Sequence, residues 1–435
     1  LSNSFTSIGP LLQSLQHHLT EINFWGRGQQ LAASTLVRLD TISLGQSFSE
    51  RRLFGSRLSF GETASIILNR QTGVPEGSMG SVSFGRPIQT LDQPWAYQLD
   101  GNWNVRRRRL FRGASIWRLP YPDEGSLETI PNVYDVREFL GQASVTRRLG
   151  SSTKFDTSLA AGGYSRQYIA PKRTGLSEAQ RTWLTANYLP RSEDVTYVSA
   201  YARAFPVNYR VLRNIDTIDL SEDYHLGWLA QGGIRWALPL PFTPSHFVEV
   251  GAALRYRAYE FDDLFGISVA AATRIRPGQR MANQHLAAEI VNYSPRFEGG
   301  RLVTRVLVDF KWNDLDNRRV LLGGSTGLRG TLPEEFSGRH YILANIEYRA
   351  RAFEILTNSI SPVLFYDAGA AFDVTPSFTH TVGLGFRILL PQLNRDVLRI
   401  DLGWVVGGTQ PGLDRLNAAW GQITDLRPTF LDDPL

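Results

Sequence analysis

Residues 246–259 read HFVEVGAALRYRAY, and their side chains alternate between apolar and polar. The apolar face consists of Val248, Val250, Ala252, Leu254, Tyr256 and Ala258. The other face is polar or small and consists of Glu249, Gly251, Ala253, Arg255 and Arg257. Because successive side chains of a β-strand point to opposite faces, a period of two predicts a strand with one apolar side.

The same period recurs along the whole chain, for example in HYILANIEYRAR at 340–351 and VLRIDLGWVV at 397–406. The pattern predicts strands at 28–38, 41–50, 56–68, 79–88, 94–108, 133–147, 152–169, 193–205, 223–237, 246–259, 264–275, 283–294, 301–313, 340–352, 362–373, 381–390, 397–407 and 420–430. One or two further strands are expected within 4–22.

A soluble β-sandwich would also alternate, but three features favour strands that cross a lipid bilayer. The segments exceed the roughly 5–6 residues of ordinary strands. Their polar faces carry Arg and Glu at strand centres, whereas the apolar faces carry almost no charge, as lipid contact requires. Tyr and Trp recur near segment ends, as at Trp95, Tyr256 and Trp404. The sequence therefore predicts an all-β protein, a transmembrane antiparallel up-and-down β-barrel.

The domain organisation follows from these segments. Residues 1–22 form a leading segment, either the first strands or the remnant of a preceding domain; 23–430 form the barrel, and 431–435 a short tail. Long connections at 109–132, 170–192 and 314–339 alternate with short ones at 148–151, 260–263 and 391–396. Long loops on one side and short turns on the other are typical of outer-membrane barrels.

Composition excludes several classes of function. The 435 residues contain no cysteine, so the chain has neither a disulfide nor a thiolate metal site. The net charge of +5 comes without a long basic tract, and no nucleic-acid partner is expected. No apolar run reaches the roughly 18 residues of a membrane-spanning helix.

The stretch GGSTGLRGT at 323–331 allows two interpretations. Its first five residues fit G-x-S-x-G, with Ser325 as the nucleophile of a hydrolase. That motif needs a helix after the serine, whereas glycines and a proline follow Ser325. The alternative is a glycine-rich loop in which Gly323 and Gly324 adopt positive φ angles, and no residue is assigned a catalytic role.

Arg329 gives the second half of this stretch a different meaning. Glu347 and Asp367 lie on the polar parity of the next two long segments, so neighbouring strands present two carboxylates to one lumen. A loop folded inward would place the Arg329 guanidinium against both. Gly330 would permit the tight backbone, and Gly369 would leave room for close approach.

The order LLGGSTGLRGT, ANIEYR, FYDAG resembles the C-terminal barrel of the BamA/TamA superfamily of outer-membrane assembly and two-partner-secretion proteins. The resemblance is good over about 299–430. Arg329 and Gly330 match the family's loop motif, Glu347 matches a strand acid, and Phe365, Asp367 and Gly369 match its aromatic-x-Asp-x-Gly signature. Thr331 stands where the family usually has an aromatic residue, and Phe430 resembles its C-terminal recognition residue.

The resemblance implies an inward-folded extracellular loop and 16 strands, an even number as in bacterial barrels generally, whereas the segment count gives about 18 to 20. It further implies the outer membrane of a Gram-negative bacterium, with an organelle outer membrane as the weaker option, and assistance to the assembly or export of proteins. The implied partners are outer-membrane lipid, protein clients and periplasmic or lipoprotein partners. No POTRA repeat, the family's client-receiving domain, is read in residues 1–22.

Two alternatives remain at this stage. One is a pore or scaffold barrel that binds partner proteins without insertase activity, and the other is an outer-membrane lipase that depends on Ser325. No cofactor or metal site is expected, and the protein is not expected to be an enzyme. The run Arg106–Arg109 indicates either a solvated rim or a contact with lipid phosphate.

Overall fold

One antiparallel sheet contains most of the regular structure. The computed structural model describes residues 2–8, 11–123, 126–172, 175–241, 243, 245–278, 281–392, 397–408 and 412–420. Within these ranges the sheet has 21 strands, of which Phe353–Ile355 pairs only with Asn358–Phe372. The other twenty are β1 Ser2–Ile8, β2 Leu11–Phe24, β3 Gln29–Arg38, β4 Thr41–Glu50, β5 Ser59–Asn69, β6 Pro75–Arg86, β7 Trp95–Arg109, β8 Val133–Leu149, β9 Thr153–Ile169, β10 Glu193–Pro206, β11 Gly227–Leu238, β12 Phe247–Glu260, β13 Asp263–Ile275, β14 Ala282–Tyr293, β15 Gly300–Trp312, β16 His340–Ala350, β17 Asn358–Phe372, β18 Thr379–Leu389, β19 Leu398–Gly407 and β20 Gly412–Trp420.

These twenty strands form a closed ring. Each strand from β1 to β19 pairs antiparallel with the next in the chain. The backbone of β20 pairs with that of β1 through Ala419–Thr6, Ala418–Ser7 and Asn417–Ile8. Pairing of the last strand with the first closes the sheet on itself, which is what a barrel in hydrocarbon requires. The predicted up-and-down barrel is confirmed.

The strand number corrects one expectation. Twenty ring strands among the described residues agree with the segment count, whereas the 16 implied by the resemblance are too few. The resemblance was loose before residue 299 and gave no basis for counting the earlier strands. A ring strand that the segment count did not include, β20, lies at Gly412–Trp420. The predicted strand 420–430 lies, apart from Trp420, outside the described residues.

The two faces of the ring differ as the period of two predicts. On β17, Leu364 is 58% exposed on the outside while its neighbour Phe365 is only 5% exposed on the inside. Leu254 on β12 and Trp236 on β11 are likewise exposed outward. Such a continuous apolar outer surface is stable against lipid and would be unfavourable in water.

The connections differ between the two ends of the barrel. The long ones, 110–132, 170–192 and 313–339, all lie at one end, called here the long-loop end. The short-turn end has tight turns such as 150–152 and 261–262 but also the long connection 207–226. The expectation of uniformly short turns at that end is therefore wrong. Residues 207–226 contain a hairpin, Tyr209–Arg213 with Ser221–His225, called here the lumenal hairpin.

A single α-helix, Glu178–Asn187, is found among the described residues, in the loop 170–192. Ser177 caps it, since the Ser177 hydroxyl accepts a hydrogen bond from Gln180 N–H and the Gln180 side chain accepts one from Ser177 N–H. Leu184 is fully buried and packs with Leu119 of the loop 110–132. The sequence interpretation missed this helix, although S-x-x-Q is a capping-box signal. Within the described ranges, no helix is both long and apolar enough to cross a membrane.

Candidate functional site

The loop between β15 and β16, residues 313–339, enters the lumen through a glycine-rich turn. Gly323, Gly324 and Gly327 have φ angles of 147°, 41° and 117°, which side-chain-bearing residues rarely adopt. Gly324–Thr326 is one turn of 3-10 helix, and Gly327 then ends it in a left-handed conformation. The backbone at Ser325 therefore lacks the strand-to-helix turn of a nucleophile elbow.

Arg329 lies at the inner tip of this loop and is completely buried. Its Nε–H and Nη2–H groups donate to Asp367 Oδ2 and Oδ1 at 2.8 and 2.7 Å, in a fork against one carboxylate. Its Nη1–H donates to Glu347 Oε2 at 2.5 Å, and its backbone N–H donates to Asp367 at 3.1 Å. The structure thus brings together the loop arginine and the acids of β16 and β17.

An aromatic ring completes the surroundings of the guanidinium. The Arg329 Cζ lies 3.7 Å from the centre of the Phe365 ring, close enough for a cation–π interaction between two buried side chains. Burial by itself lowers the pKa of the Arg329 guanidinium, but Asp367, Glu347 and Asp401 outweigh burial and raise that pKa above its ordinary value. The arginine is therefore charged at any physiological pH.

Three glycines allow the loop to come this close to the barrel wall. Gly330 has a φ of 80°, and a Cβ added to Gly403 of β19 would lie 2.7 Å from Gly330 Cα. A Cβ on Gly369 would lie 3.0 Å from Leu322 and 3.4 Å from Leu328, two apolar residues of the loop. Any side chain at these positions would push the loop away from the strands.

Thr331, where the resemblance leads one to expect an aromatic residue, has a local structural role. Its hydroxyl donates to the Leu328 carbonyl at 2.8 Å and accepts from Gly324 N–H at 3.0 Å. Thr331 therefore closes the loop on itself. Phe430 lies outside the described residues.

Sequence reasoning missed several members of this charge cluster. Arg387 on β18 donates to Glu347 Oε2 at 2.7 Å and to Asp401 Oδ1 of β19 at 2.6 Å. Asn345 donates to both the Gly327 carbonyl and Asp367 at 2.7 Å. The alternation of each strand places three side chains on the inner face of the barrel, those of Arg387, Asp401 and Asn345, and this was the only sign of them in the sequence. Pattern alone could not show which inward residues meet.

The lumenal hairpin reaches the same cluster from the opposite end of the barrel. The Arg349 guanidinium donates from Nε to Glu347 Oε1 at 2.7 Å and from Nη1 to the Ile215 carbonyl at 2.6 Å. Tyr293 of β14 donates to Asp216 of the hairpin turn at 3.1 Å. Glu347 therefore accepts hydrogen bonds from Arg329 of the loop on Oε2 and from Arg349, which binds the hairpin, on Oε1.

Apolar packing fixes the hairpin in the lumen. Leu212, Ile215 and Tyr224 of residues 207–226 are buried against inward-facing residues of β13 to β15. Ile218 packs against Leu389 at the short-turn end. The hairpin is consequently a folded part of the lumen and not a solvent-exposed turn.

The acidic residues at the entrance of the loop 313–339 take part in local hydrogen bonds. The Asp314 carboxylate accepts hydrogen bonds from the backbone N–H groups of Asp316 and Arg318, at 3.0 and 2.8 Å. In the part of the chain that the structure describes, no group of three His, Asp or Glu residues is arranged to hold a metal ion.

Comparison with known proteins gives matches to solved structures. BamA from Haemophilus ducreyi lacking POTRA domains 1–3 matches over 97% of this chain and 69% of its own, at 10% identity and a TM-score of 0.38. CdiB from Escherichia coli matches over 96% and 67%, at 9% identity and a TM-score of 0.45. OccK9 from Pseudomonas aeruginosa matches over 97% of both chains, at 10% identity and a TM-score of 0.39. No family model and no curated protein matches the sequence.

Matches at this identity and TM-score assign no function to this chain. The fold described above rests on the strand pairings of this chain, and the function has to be argued from its own residues.

Proposed function

We propose that this chain is a BamA/TamA-type barrel that assists the assembly or export of proteins at the outer membrane of a Gram-negative bacterium. The observation that carries the proposal is the loop 313–339, held deep in the lumen by Arg329. A guanidinium that is fully buried and bound to Asp367 and Glu347 costs several kcal/mol to separate from its partners, so the loop is a permanent occupant. An open diffusion pore needs a free lumen, and this loop and the lumenal hairpin both occupy part of it.

The mechanism that we propose uses the junction between the first and last strands. Within the described residues, β1 and β20 share three residue pairs, whereas β7 and β8 share fifteen. Fewer backbone hydrogen bonds make this junction the least costly place to open the ring. Opened edges would offer unpaired N–H and C=O groups to an incoming strand of a client protein, which is recognition by strand addition. Outer-membrane lipid surrounds the ring, and periplasmic or lipoprotein partners would deliver the client.

A disulfide across the junction tests this mechanism, because the natural chain has no cysteine. Ser7 and Ala418 are paired residues, and Ser7→Cys/Ala418→Cys would lock β1 to β20. The matched control is Ala252→Cys/Ala271→Cys, a paired and outward-facing position on β12 and β13. The readout is insertion of a nascent outer-membrane barrel protein into liposomes that contain the variant.

We expect oxidation to stop insertion in the junction variant, reduction to restore it, and the control to be unaffected. Undiminished insertion by the oxidised junction variant would refute the proposed opening. Steady ohmic conductance of the natural protein, without any effect on the client, would support the pore alternative instead.

A further inference from the structure

A cavity of about 340 Å³ lies at the long-loop end of the lumen, away from the Arg329 cluster. Its lining comes from β3 to β7, including Ser43 and Ile67, and contains Asp40 and all four arginines of 106–109. Glu334 of the loop 313–339 closes it from the inside. The volume is within the range of small-molecule sites.

The side chains of Arg106–Arg109, at the end of β7, alternate between the inner and the outer face of the barrel. Arg107 and Arg109 are on the outward parity, and both are paired with carboxylates. Arg107 Nε–H donates to Asp135 at 2.8 Å. Arg109 binds Glu76 at 2.6 Å and Asp40 at 3.0 Å. These outward arginines are neutralised, which disfavours a lipid-phosphate contact by Arg107 and Arg109 on the outer face.

Arg106 and Arg108 are on the inward parity and line the cavity together with Arg38 of β3. Among the described residues, no carboxylate oxygen lies within ion-pair distance of any of the three. The Arg106 Nε–H is buried without a hydrogen-bond partner, and Arg108 lies 5.9 Å from the Tyr134 ring centre. The cavity therefore holds three guanidinium groups whose charge no ion pair neutralises.

Two carboxylates lie near these arginines without forming an ion pair with them. Glu138 of β8 accepts hydrogen bonds from the Asn104 amide at 2.8 Å and from the Tyr168 hydroxyl at 2.7 Å. Burial raises the pKa of the Glu334 carboxyl, although Arg108 and Arg38 act to lower it. A partly buried cluster of like charges is unfavourable unless an anion enters it.

We infer that this cavity is a binding site for a phosphoryl group, held by Arg38, Arg106 and Arg108. The planar, multiply donating guanidinium matches the oxygens of phosphate better than a point charge does. The phosphoryl group can come from a free phosphate ester or from a lipid headgroup. The inference is independent of the proposed function, since none of these residues contacts the Arg329 cluster or the strand junction in the described structure.

Adjacent residues of one strand provide a matched test. Arg106→Gln removes an inward guanidinium, and Arg107→Gln removes an outward one that already has a carboxylate partner. The variants and the natural protein are purified in a detergent without phosphate, and the melting temperature is measured with added inorganic pyrophosphate. A second arm uses a short-chain phosphatidic acid below its micelle concentration. Arg38→Gln serves as an independent inward variant.

We expect one or both ligands to raise the melting temperature of the natural protein and of Arg107→Gln. In Arg106→Gln and Arg38→Gln the apparent affinity for the same ligand should fall about tenfold or more, because each variant loses a charge-assisted hydrogen bond to it. Without ligand, Arg106→Gln should be at least as stable as the natural protein, since a like charge is removed. Equal shifts in Arg106→Gln and Arg107→Gln, or no shift with either ligand, would overturn the inference.

Discussion

The Arg349 guanidinium donates a 2.6 Å hydrogen bond to the backbone carbonyl of Ile215, which joins the barrel wall to the lumenal hairpin. The same guanidinium binds Glu347, the acid that also holds Arg329. Two segments that enter the lumen from opposite ends, the loop 313–339 and the hairpin, therefore share one carboxylate.

Arg349→Met should loosen the hairpin without unfolding the barrel. A hydrogen bond to a charged group contributes about 1.5–3 kcal/mol, so amide exchange in residues 214–218 should accelerate about tenfold or more. Mass-spectrometric hydrogen exchange measures this, with Arg351→Met, an exposed arginine nearby, as the control. Unchanged exchange in Arg349→Met would show that apolar packing alone holds the hairpin.

Arg329→Met should destabilise the protein by about 3–5 kcal/mol, because the buried Asp367 loses the guanidinium fork that neutralises it. Glu347 loses one of its three arginines and keeps Arg349 and Arg387. Arg329→Lys should restore only part of this, since an ammonium cannot form the fork to Asp367. The control is Arg339→Met, whose side chain is 52% exposed and pairs with Asp373 at 3.5 Å; its cost should be below about 1 kcal/mol. Denaturant unfolding in detergent gives the comparison, and similar losses in both variants would contradict the assignment.

Phe365→Leu should lower stability through the loss of the contact between its ring and the Arg329 guanidinium. Cation–π pairs removed from water contribute about 2 kcal/mol or more. Phe386→Leu, at an outward and exposed position of β18, is the matched control. The free energy of unfolding of the double variant Phe365→Leu/Arg329→Met should fall by less than the sum of the two single losses. A loss equal to that sum would show that the two residues are not coupled.

Gly403→Ala should destabilise the inward loop by about 1–3 kcal/mol, as small additions to filled space do. The new methyl group would lie 2.7 Å from Gly330 Cα. Gly407→Ala on the same strand is the control, because its nearest neighbour would lie 3.4 Å away. Protease cleavage within the loop should increase in Gly403→Ala alone; equal resistance of both variants would argue against a tight approach.

The hairpin should be held more firmly in mild acid. Glu222 accepts hydrogen bonds from the backbone N–H groups of Thr217, at 2.9 Å, and of Ile215 and Asp216. Burial raises the pKa of this carboxyl, and the charge of Asp216 raises it further. The protonated Glu222 carboxyl therefore stabilises the hairpin fully at pH values below the pKa that this group has in the unfolded chain. This stabilisation is lost as the pH rises through the higher pKa that the group has in the folded protein.

Protection factors of the hairpin amides should accordingly increase from about pH 7 to about pH 5, approaching the ordinary Glu pKa. Glu222→Gln should remove this dependence. Weaker protection of the natural protein in acid would contradict the assigned direction.

The barrel was predictable because one local rule determines it. Segment 41–50 coincides with β4, and 246–259 differs from β12 by one residue at each end. Alternation assigns each side chain to lipid or lumen without knowledge of its neighbours. The helix Glu178–Asn187 was missed because loops carry no such constraint. The lumenal hairpin was missed because its second strand, Ser221–His225, was merged with β11 in the predicted segment 223–237.

For the candidate site, the sequence by itself determined that two acids, Glu347 and Asp367, face the lumen, since the side of a strand on which a residue lies follows from the backbone alone. It also determined that a base, Arg329, lies in the loop before them. Only the tertiary structure decided that these groups meet, that Arg387 and Arg349 join them, and that Gly403 makes room. Contacts between side chains distant in sequence depend on how far a loop descends and how the ring curves. Both are set by packing and by the cost of leaving a buried charge without its partner.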